Sequence, residues 1–549
     1  MNLEATQGND RNMDRSSTTQ SSTTQSSTES TMDELIQDLQ RRKAKAAQMG
    51  GDAKVAAQHA LGRYTARERV DKLVDHGSFL ELGILNHSDV PGAVEKSPAD
   101  GLIAGIAKVD GRLVVVEASD KTVFAGTEGT VFMRKAEQVH NFAVKRGLPI
   151  FHLGEGGGLR IPDGMGADGI SEKMMPMTLL RHNRAVPTMA AILGDSFGGP
   201  TWTAVTSDFA AQVKGTAMAV AGPRMLEIAT GETVSDEELG GWKVHAEQTG
   251  QIDAFADDEN ACIALMKRFF SYMPSHAGEE PAVLSTADTG DSPDRRLDNV
   301  DALVPTRKTR AYDMRRLVRA VVDHDSFFEL KPYFGAALIT GLGRLNGRVV
   351  GVLANQPLVK AGAAGPDECD KATEFICLCD SYHIPLVFLH DIPGFRVGSA
   401  AEHRKIATKI MVWNQALAWS TVPKVSVVIR KSIGAAYGNM CGPGMGADFV
   451  VAWPTAEISF TGADVGVNVV YGRELANVAD KAEAAAMRQQ LVQQWEIDSS
   501  PYKAAAKHLL DDVIDPRDTR RFLCRVLEAA CTQHGARSER RLANWPTGF

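Results

Sequence analysis

Short apolar runs alternate with amphipathic stretches along most of the chain. Six of the apolar runs have the length and composition of buried strands: VVVEAS, LPIFHLG, TMAAILG, VVGVLAN, PLVFLHD and VSVVIRK. Between them lie segments with apolar residues at helical spacing, such as 132–147 and 370–383. Because strands alternate with helices, the pattern predicts an α/β protein whose sheets are largely parallel.

The second half of the chain repeats the pattern of the first. Gly111 in GIAKVDGRLVVV aligns with Gly347 in GLGRLNGRVVGV, an offset of 347 − 111 = 236 residues. At the same offset, GLPIFHLGE resembles HIPLVFLHD, and AVPTMAAILGDSFGG resembles TVPKVSVVIRKSIGA. The phrase VDHGSFLEL returns as VDHDSFFEL after 248 residues. A solenoid would show several short repeats, so one long repeat indicates two copies of a whole domain.

A polar segment rich in turn residues, 275–299, separates the two copies. We therefore expect an N-terminal domain over 33–290 and a C-terminal domain over 291–549. Residues 1–32 are predicted to be a disordered tail, because RSSTTQSSTTQSSTEST has no apolar residues to bury. Residues 33–48 carry charges all round with a thin apolar stripe, which predicts an exposed helix.

Composition argues against several classes of function. The 549 residues carry a net charge of −8, which gives no electrostatic reason to expect a nucleic-acid partner. No stretch approaches roughly 18 uncharged apolar residues, so we expect no membrane span. The N-terminus has no apolar region of a secretory signal, and we expect a cytoplasmic protein. Seven cysteines without zinc-type spacing are interpreted as core thiols.

Three loops that follow predicted strands contain small residues suited to anion binding. In LGEGGGLR (153–160), successive glycines allow several N–H groups to meet at one place, as an oxyanion hole requires. In RKSIGAAYGNM (430–440), small residues at a strand-to-helix corner are candidates for a second anion site. A tight turn and close helix–sheet packing are the alternative explanations for these two loops. HDIPGFRVG (390–398), at the repeat position of the first loop, is a candidate binding loop or a rigid corner.

The common catalytic motifs are absent from the sequence. The chain has no Walker-type GK[ST], no HExxH and no biotin-attachment tetrapeptide. GPGMGA (442–447) lacks the clear strand and the acidic partner of a dinucleotide site. These observations favour a protein that binds no metal and works with backbone amides and a visiting cofactor.

Seven longer phrases are spread over the chain: TARERVDKLVDHGSFLELG, TGETVSDEELGGWKVH, VLANQP, DIPGF, TVPKVSVVIRKSIGAAYG, AWPTAEI and VIDPRDTR. On these phrases, the chain from about residue 33 to 520 resembles the carboxyltransferase (β) subunit of biotin-dependent acyl-CoA carboxylases, such as the propionyl-CoA and methylcrotonyl-CoA enzymes. The resemblance implies two tandem crotonase-like (ClpP/crotonase) α/β domains related by internal duplication, which agrees with the repeat. It also implies a homo-hexamer that works with a biotin carboxylase/biotin carboxyl carrier (α) subunit.

The resemblance implies a role for each small-residue loop. Transfer of a carboxyl group from carboxybiotin to an acyl-CoA develops two oxyanions, one on each reactant, and so requires two sets of N–H donors. By resemblance, Gly157 and Gly158 would stabilise the thioester enolate, and Ala435 and Ala436 would stabilise the ureido oxygen of biotin. The further implied site residues are Leu159, Gly199 and Trp202 for the acyl-CoA, and Gly434, Gly394 and Phe395 for biotin.

The sequence departs from the family pattern in two loops. The family usually has DSGGAR where this chain has EGGGLR, so Glu155 and Leu159 are substitutions. It usually has GPCAGGAVYSPAL where this chain has GDSFGGPTWTAV, with Pro200, which cannot donate an N–H, and the bulky Trp202. We expect Leu159 and Trp202 to reshape the acyl pocket, which would change the acyl substrate more than the reaction.

Three functions are compatible with the sequence. The chain is a carboxyltransferase subunit, a decarboxylase or transcarboxylase subunit that uses the same two sites, or an inactive CoA-binding scaffold. His245 and His390 are interpreted as structural histidines rather than site residues. Arg430 and Lys431 are candidates for a phosphate or carboxylate site, with a surface ion pair as the alternative. The basic residues of 33–48 are candidates for contacts with CoA phosphates, with a solvated face as the alternative.

Overall fold

The computed structural model describes residues 30–172, 184–532 and 538–545. Apart from its last residues, the predicted disordered tail lies outside the described residues. The predicted exposed helix is confirmed as Met32–Ala47, which buries none of its residues. It begins at a capping box, in which the Thr31 side chain accepts the N–H of Glu34 and the Glu34 carboxylate accepts the N–H of Thr31.

The first half of the chain forms a mixed sheet of eight strands. They are β1 (Leu80–Leu82), β2 (Leu102–Val109), β3 (Arg112–Ser119), β4 (Ile150–Gly156), β5 (Thr188–Phe197), β6 (Phe209–Val213), β7 (Met218–Ala219) and β8 (Ala254–Ala256). The order is β1-β2-β3-β4-β5-β6-β8, and β7 pairs with β5. β1, β2 and β3 pair antiparallel, and the pairs from β3 onward are parallel.

The second half forms a sheet of the same kind. Its strands are β9 (Phe328–Leu330), β10 (Leu338–Leu345), β11 (Arg348–Asn355), β12 (Leu386–Ile392), β13 (Lys424–Ile433), β14 (Phe449–Ala452), β15 (Glu457–Ser459) and β16 (Asp512–Val513). The order is β16-β14-β13-β12-β11-β10-β9, and β15 pairs with β13. Val115 of β3 pairs with Ile150 of β4, and Gly351 of β11 pairs with Leu386 of β12. The 236-residue repeat is therefore a repeat of strand register, and the predicted duplicated α/β fold is confirmed.

The α-helices cover both sheets. In the first half they are Met32–Ala47, Asp52–Ala60, Ala66–Leu73, Thr130–Arg146, Ile161–Gly164, Gly166–Glu172, Gly199–Thr206, Pro223–Thr230, Asp236–Gly240, Glu259–Phe270 and Thr286–Thr289. In the second half they are Val300–Leu303, Met314–Val321, Pro366–Ser381, Ser399–Glu402, Ile406–Trp419, Ala436–Asn439, Ala463–Asn477, Lys481–Asp498, Pro501–Ala505 and Thr519–Ala530. The helices predicted over 132–147 and 370–383 are confirmed. None of the described helices combines the length and apolar character that a membrane span needs.

The repeated phrase VDHxSFxEL has a structural role in each half. The Asp75 carboxylate accepts the N–H groups of Asp110 and Gly111, at 3.0 and 2.8 Å, in the turn between β2 and β3. Asp323 does the same for the turn between β10 and β11, again at 3.0 and 2.8 Å. A two-residue hairpin loop needs left-handed backbone, which Gly111 supplies with φ +79°. The phrase thus ties a helix end to a hairpin, once per domain copy.

The two halves pack against each other through aromatic side chains. The ring of Phe209 in β6 stacks on Phe269 at 4.8 Å and lies 5.9 Å from Phe328 in β9. Residues of both sheets belong to one contiguous hydrophobic core. Six of the seven cysteines are buried, as expected of core thiols. The domain boundary at 290/291 falls between the last strand of the first sheet and the first strand of the second, and stays a prediction.

Candidate active site

Each half places two loops side by side at the carboxyl end of its sheet. In the first half, 157–158 follows β4 and 198–199 follows β5. In the second half, 393–395 follows β12 and 434–436 follows β13. The pairing of β4 with β5, and of β12 with β13, shifts register just before these loops and then resumes, with Gly156 opposite Ser196 and Ile392 opposite Ser432. The loops of each half therefore flank a crevice, as is usual where parallel strands end; we call these the first and the second crevice.

Two backbone N–H groups of the first crevice, those of Gly158 and Gly199, have no acceptor among the described residues. The N–H of Gly157 donates to the carbonyl oxygen of Ala125 at 3.3 Å and is therefore already engaged. Gly158 has φ +74°, and a Cβ there would lie 2.7 Å from the carbonyl oxygen of Phe197. Only glycine fits this position. The first glycine loop therefore contributes the N–H of Gly158, and the loop after β5 contributes the N–H of Gly199.

The second crevice also has such donors. Among them, the N–H groups of Gly394, Ala435 and Ala436 have no acceptor within the described part of the chain. The N–H of Gly434 donates to the carbonyl oxygen of Ser459 at 2.9 Å. Gly434, one of the residues predicted for this site, therefore forms the turn after β13 with φ +66°. Ala435 and Ala436, also predicted, carry N–H groups without an acceptor among the described residues.

The donors of the two crevices are equivalent under the 236-residue repeat. The matching pairs are Gly158 with Gly394, Gly199 with Ala435, and Pro200 with Ala436. Because proline has no N–H, the second crevice has one donor more than the first at these three positions. Phe395, also predicted for the second site, lies with its ring 6.2 Å from Trp413 and packs against the core.

A buried carboxylate lies at the end of the strand beneath each crevice. Glu155 of β4 and Asp391 of β12 occupy equivalent positions, and both are 0 % exposed. Nη1 of Arg69 lies 2.6 Å from Oε2 of Glu155. Nε of Arg430 lies 2.8 Å from Oδ2 of Asp391. Each arginine compensates a negative charge that would otherwise repel an anion held by the nearby N–H groups.

The two arginines come from different parts of the chain. Arg430 stands on β13, beside Asp391. Its counterpart in the first half is Gly194, where a Cβ would lie 2.2 Å from Cδ of Glu155, so the larger glutamate fills the space. The compensating charge is supplied instead by Arg69 on the helix Ala66–Leu73, which also pairs with Glu259, and by Arg63, whose Nη1 lies 3.2 Å from Oε1 of Glu155. The carboxylate of Glu155 is therefore paired with an arginine from a preceding helix, whereas Asp391 is paired with an arginine from the neighbouring strand.

Arg430 is not a surface residue, and the interpretation of Arg430–Lys431 as a surface ion pair is wrong for it. Its side chain is 1 % exposed. Besides Asp391, its Nη1 group donates to three backbone carbonyl oxygens of the segment 305–310, at 2.9 to 3.2 Å. A guanidinium can satisfy several acceptors at once, so Arg430 fixes this segment to the strand end.

His245 is a hydrogen-bonded structural histidine, as interpreted from the sequence, whereas Nε2 of His390 is buried without a partner among the described residues. His245 uses both ring nitrogens, one 2.7 Å from the carbonyl oxygen of Met218 and the other 3.0 Å from Oγ1 of Thr249. Nδ1 of His390 lies 3.0 Å from Oγ of Ser432. Burial lowers the pKa of His390 to about 3, so the imidazole is neutral at physiological pH.

A cavity of about 150 Å³ in the first half adjoins the first crevice. Its described lining includes apolar residues of the helices Thr130–Arg146 and Gly199–Thr206 together with residues of β3, β4 and β5. Four of the lining residues are titratable: Glu117, Glu128, His140 and His152. We call this the polar cavity. Gly154 and Gly199 also line it, so it reaches the oxyanion loops.

Leu159 and Trp202 are not among the described residues that line the polar cavity. Trp202 lies on the helix Gly199–Thr206 and is 46 % exposed. The Leu159 side chain packs near Gly164, where a Cβ would lie 2.7 Å from its Cδ2. The expectation that these two residues reshape an acyl pocket stays a prediction.

The charged groups of the polar cavity were missed by motif analysis because they lie far apart in sequence. Nδ1 of His152 lies 3.1 Å from Oε2 of Glu117 across neighbouring strands. Burial raises the pKa of Glu128 to about 7. The only sequence signal was the internal repeat, in which these polar residues stand opposite apolar ones. No group of His, Cys, Asp and Glu among the described residues has the arrangement of a metal site.

Comparison with known proteins identifies the family. The carboxyl transferase domain matches residues 57–544. The chain belongs to the carboxyl transferase family. It is 36 % identical to the propionyl-CoA carboxylase beta chain of Saccharopolyspora erythraea over 525 residues, which is 93 % of this chain and 95 % of that protein. It is 34 % identical to the methylmalonyl-CoA decarboxylase subunit alpha of Propionigenium modestum over 509 residues, 92 % of this chain and 96 % of that protein.

The fold of this carboxyl transferase is also that of a solved relative. A crystal structure of transcarboxylase 12S, described as a hexamer with methylmalonyl-coenzyme A and methylmalonic acid bound, matches with a TM-score of 0.86. The match has 33 % sequence identity and covers 92 % of this chain and 97 % of the other. The family and the duplicated fold predicted from the sequence are confirmed. This carboxyl transferase is a member of the biotin-dependent acyl-CoA carboxylases, transcarboxylases and decarboxylases.

Proposed function

We propose that the chain is the carboxyltransferase subunit of an acyl-CoA carboxylase, and that it moves a carboxyl group from carboxybiotin, carried on a partner subunit, to the α-carbon of an acyl-CoA. The observation that carries the proposal is the duplication of the donor pair. Gly158 and Gly199 in the first half have their equivalents in Gly394 and Ala435 in the second, and all four N–H groups lack an acceptor among the described residues. One oxyanion needs one such set of donors, and carboxyl transfer develops two oxyanions.

When bound, carboxybiotin supplies the carboxyl group: its N–CO2 bond breaks, a C–C bond forms at the α-carbon, and the α-proton passes to biotin. The residues of this chain hold the two reactants and stabilise the negative charge on each. We assign the thioester oxygen to the first crevice, with Gly158 and Gly199 as donors. We assign the ureido oxygen of biotin to the second crevice, with Ala435 and Ala436 as donors and Gly394 beside them. Loss of one such donor typically raises the barrier by about 3–4 kcal/mol.

The chemistry of the second crevice suits a ureido oxygen. It offers the N–H groups of Ala435 and Ala436 at a strand-to-helix corner, and the carboxylate beneath it is paired with Arg430. No metal is required for this role, because fixed amides act on the developing charge without reorganising. The partner in this proposal is a biotin carboxylase/biotin carboxyl carrier (α) subunit, since this chain has no biotin-attachment tetrapeptide.

We further propose that the first crevice of one subunit faces the second crevice of another in a homo-hexamer. Large apolar side chains near the crevices are exposed in the single chain: Val220 (73 %), Val397 (91 %) and Phe460 (87 %). The carbonyl oxygen of Phe460 lies 3.2 Å from where a Cβ of Gly434 would be, which places this residue at the second crevice. Exposed apolar patches next to polar sites are typical of subunit interfaces, and the transcarboxylase 12S relative is a hexamer.

The test uses the full-length chain and free biotin, because the carrier partner is not identified. Malonyl-CoA and methylmalonyl-CoA are incubated with the chain, with and without free biotin, and acetyl-CoA and propionyl-CoA are measured by liquid chromatography. We expect decarboxylated product to form faster with biotin, because the carboxyl group is transferred to it. The variant Gln138→Ala, on the exposed side of the helix Thr130–Arg146, is the control and should behave as the wild type.

Two results would contradict the proposal. One is the absence of any biotin-dependent product, together with the absence of α-proton exchange into solvent, across a panel of acyl-CoA esters; this is the outcome expected of an inactive scaffold. The other is decarboxylation that proceeds at the same rate with and without biotin, which would show that no carboxyl group passes to biotin.

A further inference from the structure

The polar cavity has a hydrophobic counterpart in the second half. Under the 236-residue repeat its four titratable residues correspond to apolar ones: Glu117 to Leu353, Glu128 to Ala364, His140 to Ile376, and His152 to Phe388. All four apolar residues are 0 % exposed and belong to the hydrophobic core. The same place in the same fold is thus filled with core side chains in one half and with two carboxyls and two imidazoles in the other.

The correspondence is structural and does not depend on sequence alignment alone. Glu117 pairs with His152 between β3 and β4, as Leu353 pairs with Phe388 between β11 and β12. Near the crevices, an isolated bridge joins Glu128 to Leu159, and its equivalent joins Ala364 to Phe395. The second half therefore demonstrates that the fold itself needs no titratable group at any of these positions.

One carboxyl oxygen of the cavity is buried without a hydrogen-bond partner among the described residues. Oε1 of Glu117 is buried and has no hydrogen-bond partner in the described part of the protein, although Oε2 is paired with His152. The Glu117 side chain is 10 % exposed. The Glu128 carboxyl, whose pKa is raised by burial, lies against Gly199, where a Cβ would be 2.1 Å from Oε2 of Glu128. Buried polar atoms without partners are costly, so a ligand that supplies partners would bind favourably.

The polar cavity lies next to the two loops of the first crevice, and this position indicates which part of a substrate would enter it. Glu128 donates its N–H to the carbonyl oxygen of Gly158 at 2.8 Å and accepts the N–H of Arg160 at 2.9 Å, so its backbone is part of the glycine loop. Its side chain meets the other oxyanion loop at Gly199. A thioester whose oxygen is held between Gly158 and Gly199 would have its acyl group next to this cavity.

We propose that the polar cavity is the acyl pocket of the enzyme and that it selects a short acyl group carrying a hydroxyl, with Glu128 and the Glu117–His152 pair as the specificity-determining residues. This rests on the proposed function, because it takes the first crevice as the thioester site. A cavity of about 150 Å³ holds a benzene-sized group, which limits the acyl chain to about six carbon atoms. A hydroxyl both donates and accepts, so it can donate to Oε1 of Glu117 and accept from an imidazole or a protonated carboxyl.

Other acyl chemistries suit the cavity less well. A plain alkyl chain would leave Oε1 of Glu117 without a partner and would add to the cost of desolvating it. An acyl group with a terminal carboxylate would bring a second negative charge next to Glu117 and would keep the proton on Glu128 only at further cost. No set of side chains in the described residues is arranged to hold a metal ion that would offset such a charge.

The experiment compares matched acyl-CoA esters by isothermal titration calorimetry on the full-length chain. 3-Hydroxybutyryl-CoA and butyryl-CoA differ only in the hydroxyl, and glutaryl-CoA carries a carboxylate instead. We expect the wild type to bind 3-hydroxybutyryl-CoA about tenfold more tightly than butyryl-CoA, the worth of one satisfied hydrogen bond, and glutaryl-CoA more weakly than either. Glu128→Ala and His152→Phe, which install the residues of the second half, should bring the ratio of the first two esters to about one.

The outcomes separate the acyl pocket from the proposed function. Equal or weaker binding of the hydroxylated ester by the wild type overturns the inference, and so does tighter binding of glutaryl-CoA. An unchanged ratio in both variants overturns the assignment to this cavity, with Gln138→Ala as the control for an unrelated change on the same helix. Binding constants do not depend on turnover: a wild-type preference without biotin-dependent transfer would contradict the proposed function and leave the pocket supported.

Discussion

Glu128 and Gly199 are packed so closely that a Cβ on Gly199 would lie 2.1 Å from Oε2 of Glu128. In the second half the equivalent pair is Ala364 and Ala435. One half combines a long carboxyl side chain with a glycine, and the other combines two alanines. The side chains that fill the space beside the oxyanion loop therefore differ between the two halves. Replacing Glu128 and Gly199 by alanine, singly and together, tests the contact between them.

Gly199→Ala should destabilise the protein by about 1 kcal/mol or less, because the carboxyl end of the flexible Glu128 side chain must move away from the added methyl group. Gly199→Ala combined with Glu128→Ala reproduces the alanine pair of the second half and should recover most of this loss. Urea denaturation of the wild type, both single variants and the double variant gives the coupling between the two positions. Strictly additive effects would show that the two side chains do not share this space.

Glu128 should make the stability of the protein depend on pH. Its pKa is raised from an ordinary value of 4.5 to about 7, so between these values the folded chain keeps a proton that the unfolded chain has lost. Stability therefore falls as pH rises from 4.5 through 7, by at most about 3 kcal/mol. Glu117, His140 and His152 face the same cavity, so the effect of Glu128 must be isolated by a variant.

Glu128→Gln is that variant, because it keeps the shape and hydrogen-bonding capacity of the side chain and cannot ionise. The free energy of unfolding of the wild type should fall by about 1–3 kcal/mol more than that of the variant when the pH is raised from 5 to 8. Denaturation at both pH values measures the difference. The same pH dependence in both proteins would mean that Glu128 is ionised in the folded state across this range.

Ala436→Pro should lower the rate of carboxyl transfer to biotin by about 10²–10³-fold, because it removes one N–H donor of the second crevice. Ala436 is the first residue of a helix, a position that tolerates proline, and Pro200 occupies the equivalent position in the first half. Ala435, the residue before the new proline, has helical backbone with φ −59° and ψ −26°, which a following proline disfavours, whereas Pro200 follows a glycine. The loss of rate is therefore assigned to the missing donor only when the variant keeps the far-UV circular dichroism and the acyl-CoA dissociation constant of the wild type.

The matched control for this substitution is Pro200→Ala, which places at position 200 the alanine that the second crevice has at position 436. It should keep the rate of transfer within about threefold. Full transfer activity in Ala436→Pro would remove Ala436 from the proposed donor set and leave Gly394 and Ala435 as the donors of the second crevice.

Arg430→Met should destabilise the protein by about 3–5 kcal/mol, because it leaves the buried carboxylate of Asp391 without its partner. The double variant Arg430→Met/Asp391→Leu removes both charges and should recover a large part of that loss. Thermal and urea denaturation measure both changes. Arg488→Met breaks an exposed ion pair with Asp464 and serves as the comparison, with an expected change below about 1 kcal/mol. A loss in Arg430→Met no larger than this comparison would contradict the structural role of the pair.

The sequence was sufficient for the architecture and for the loops that carry the donors. Strands and helices follow from the local period of apolar residues, which each segment carries by itself. The duplication follows from one constant offset, and the oxyanion loops follow from glycines and alanines placed directly after strands. The sequence was less informative about which backbone N–H groups in these loops lack an acceptor. Gly157 and Gly158 look alike in sequence, yet only the chain fold engages the N–H of Gly157 with Ala125 and leaves that of Gly158 open.

The tertiary structure alone decided the ionic and cavity features, since these depend on contacts between residues remote in sequence. Arg69 and Glu155 are 86 residues apart (155 − 69), and no motif joins them, but they form the ion pair that Arg430 and Asp391 form in the other half. Glu117, Glu128, His140 and His152 belong to two strands, a loop and a helix, and only folding brings them to one cavity. Local patterns fix secondary structure because they act over a few residues, whereas electrostatic compensation is set by whatever the fold brings within a few ångströms.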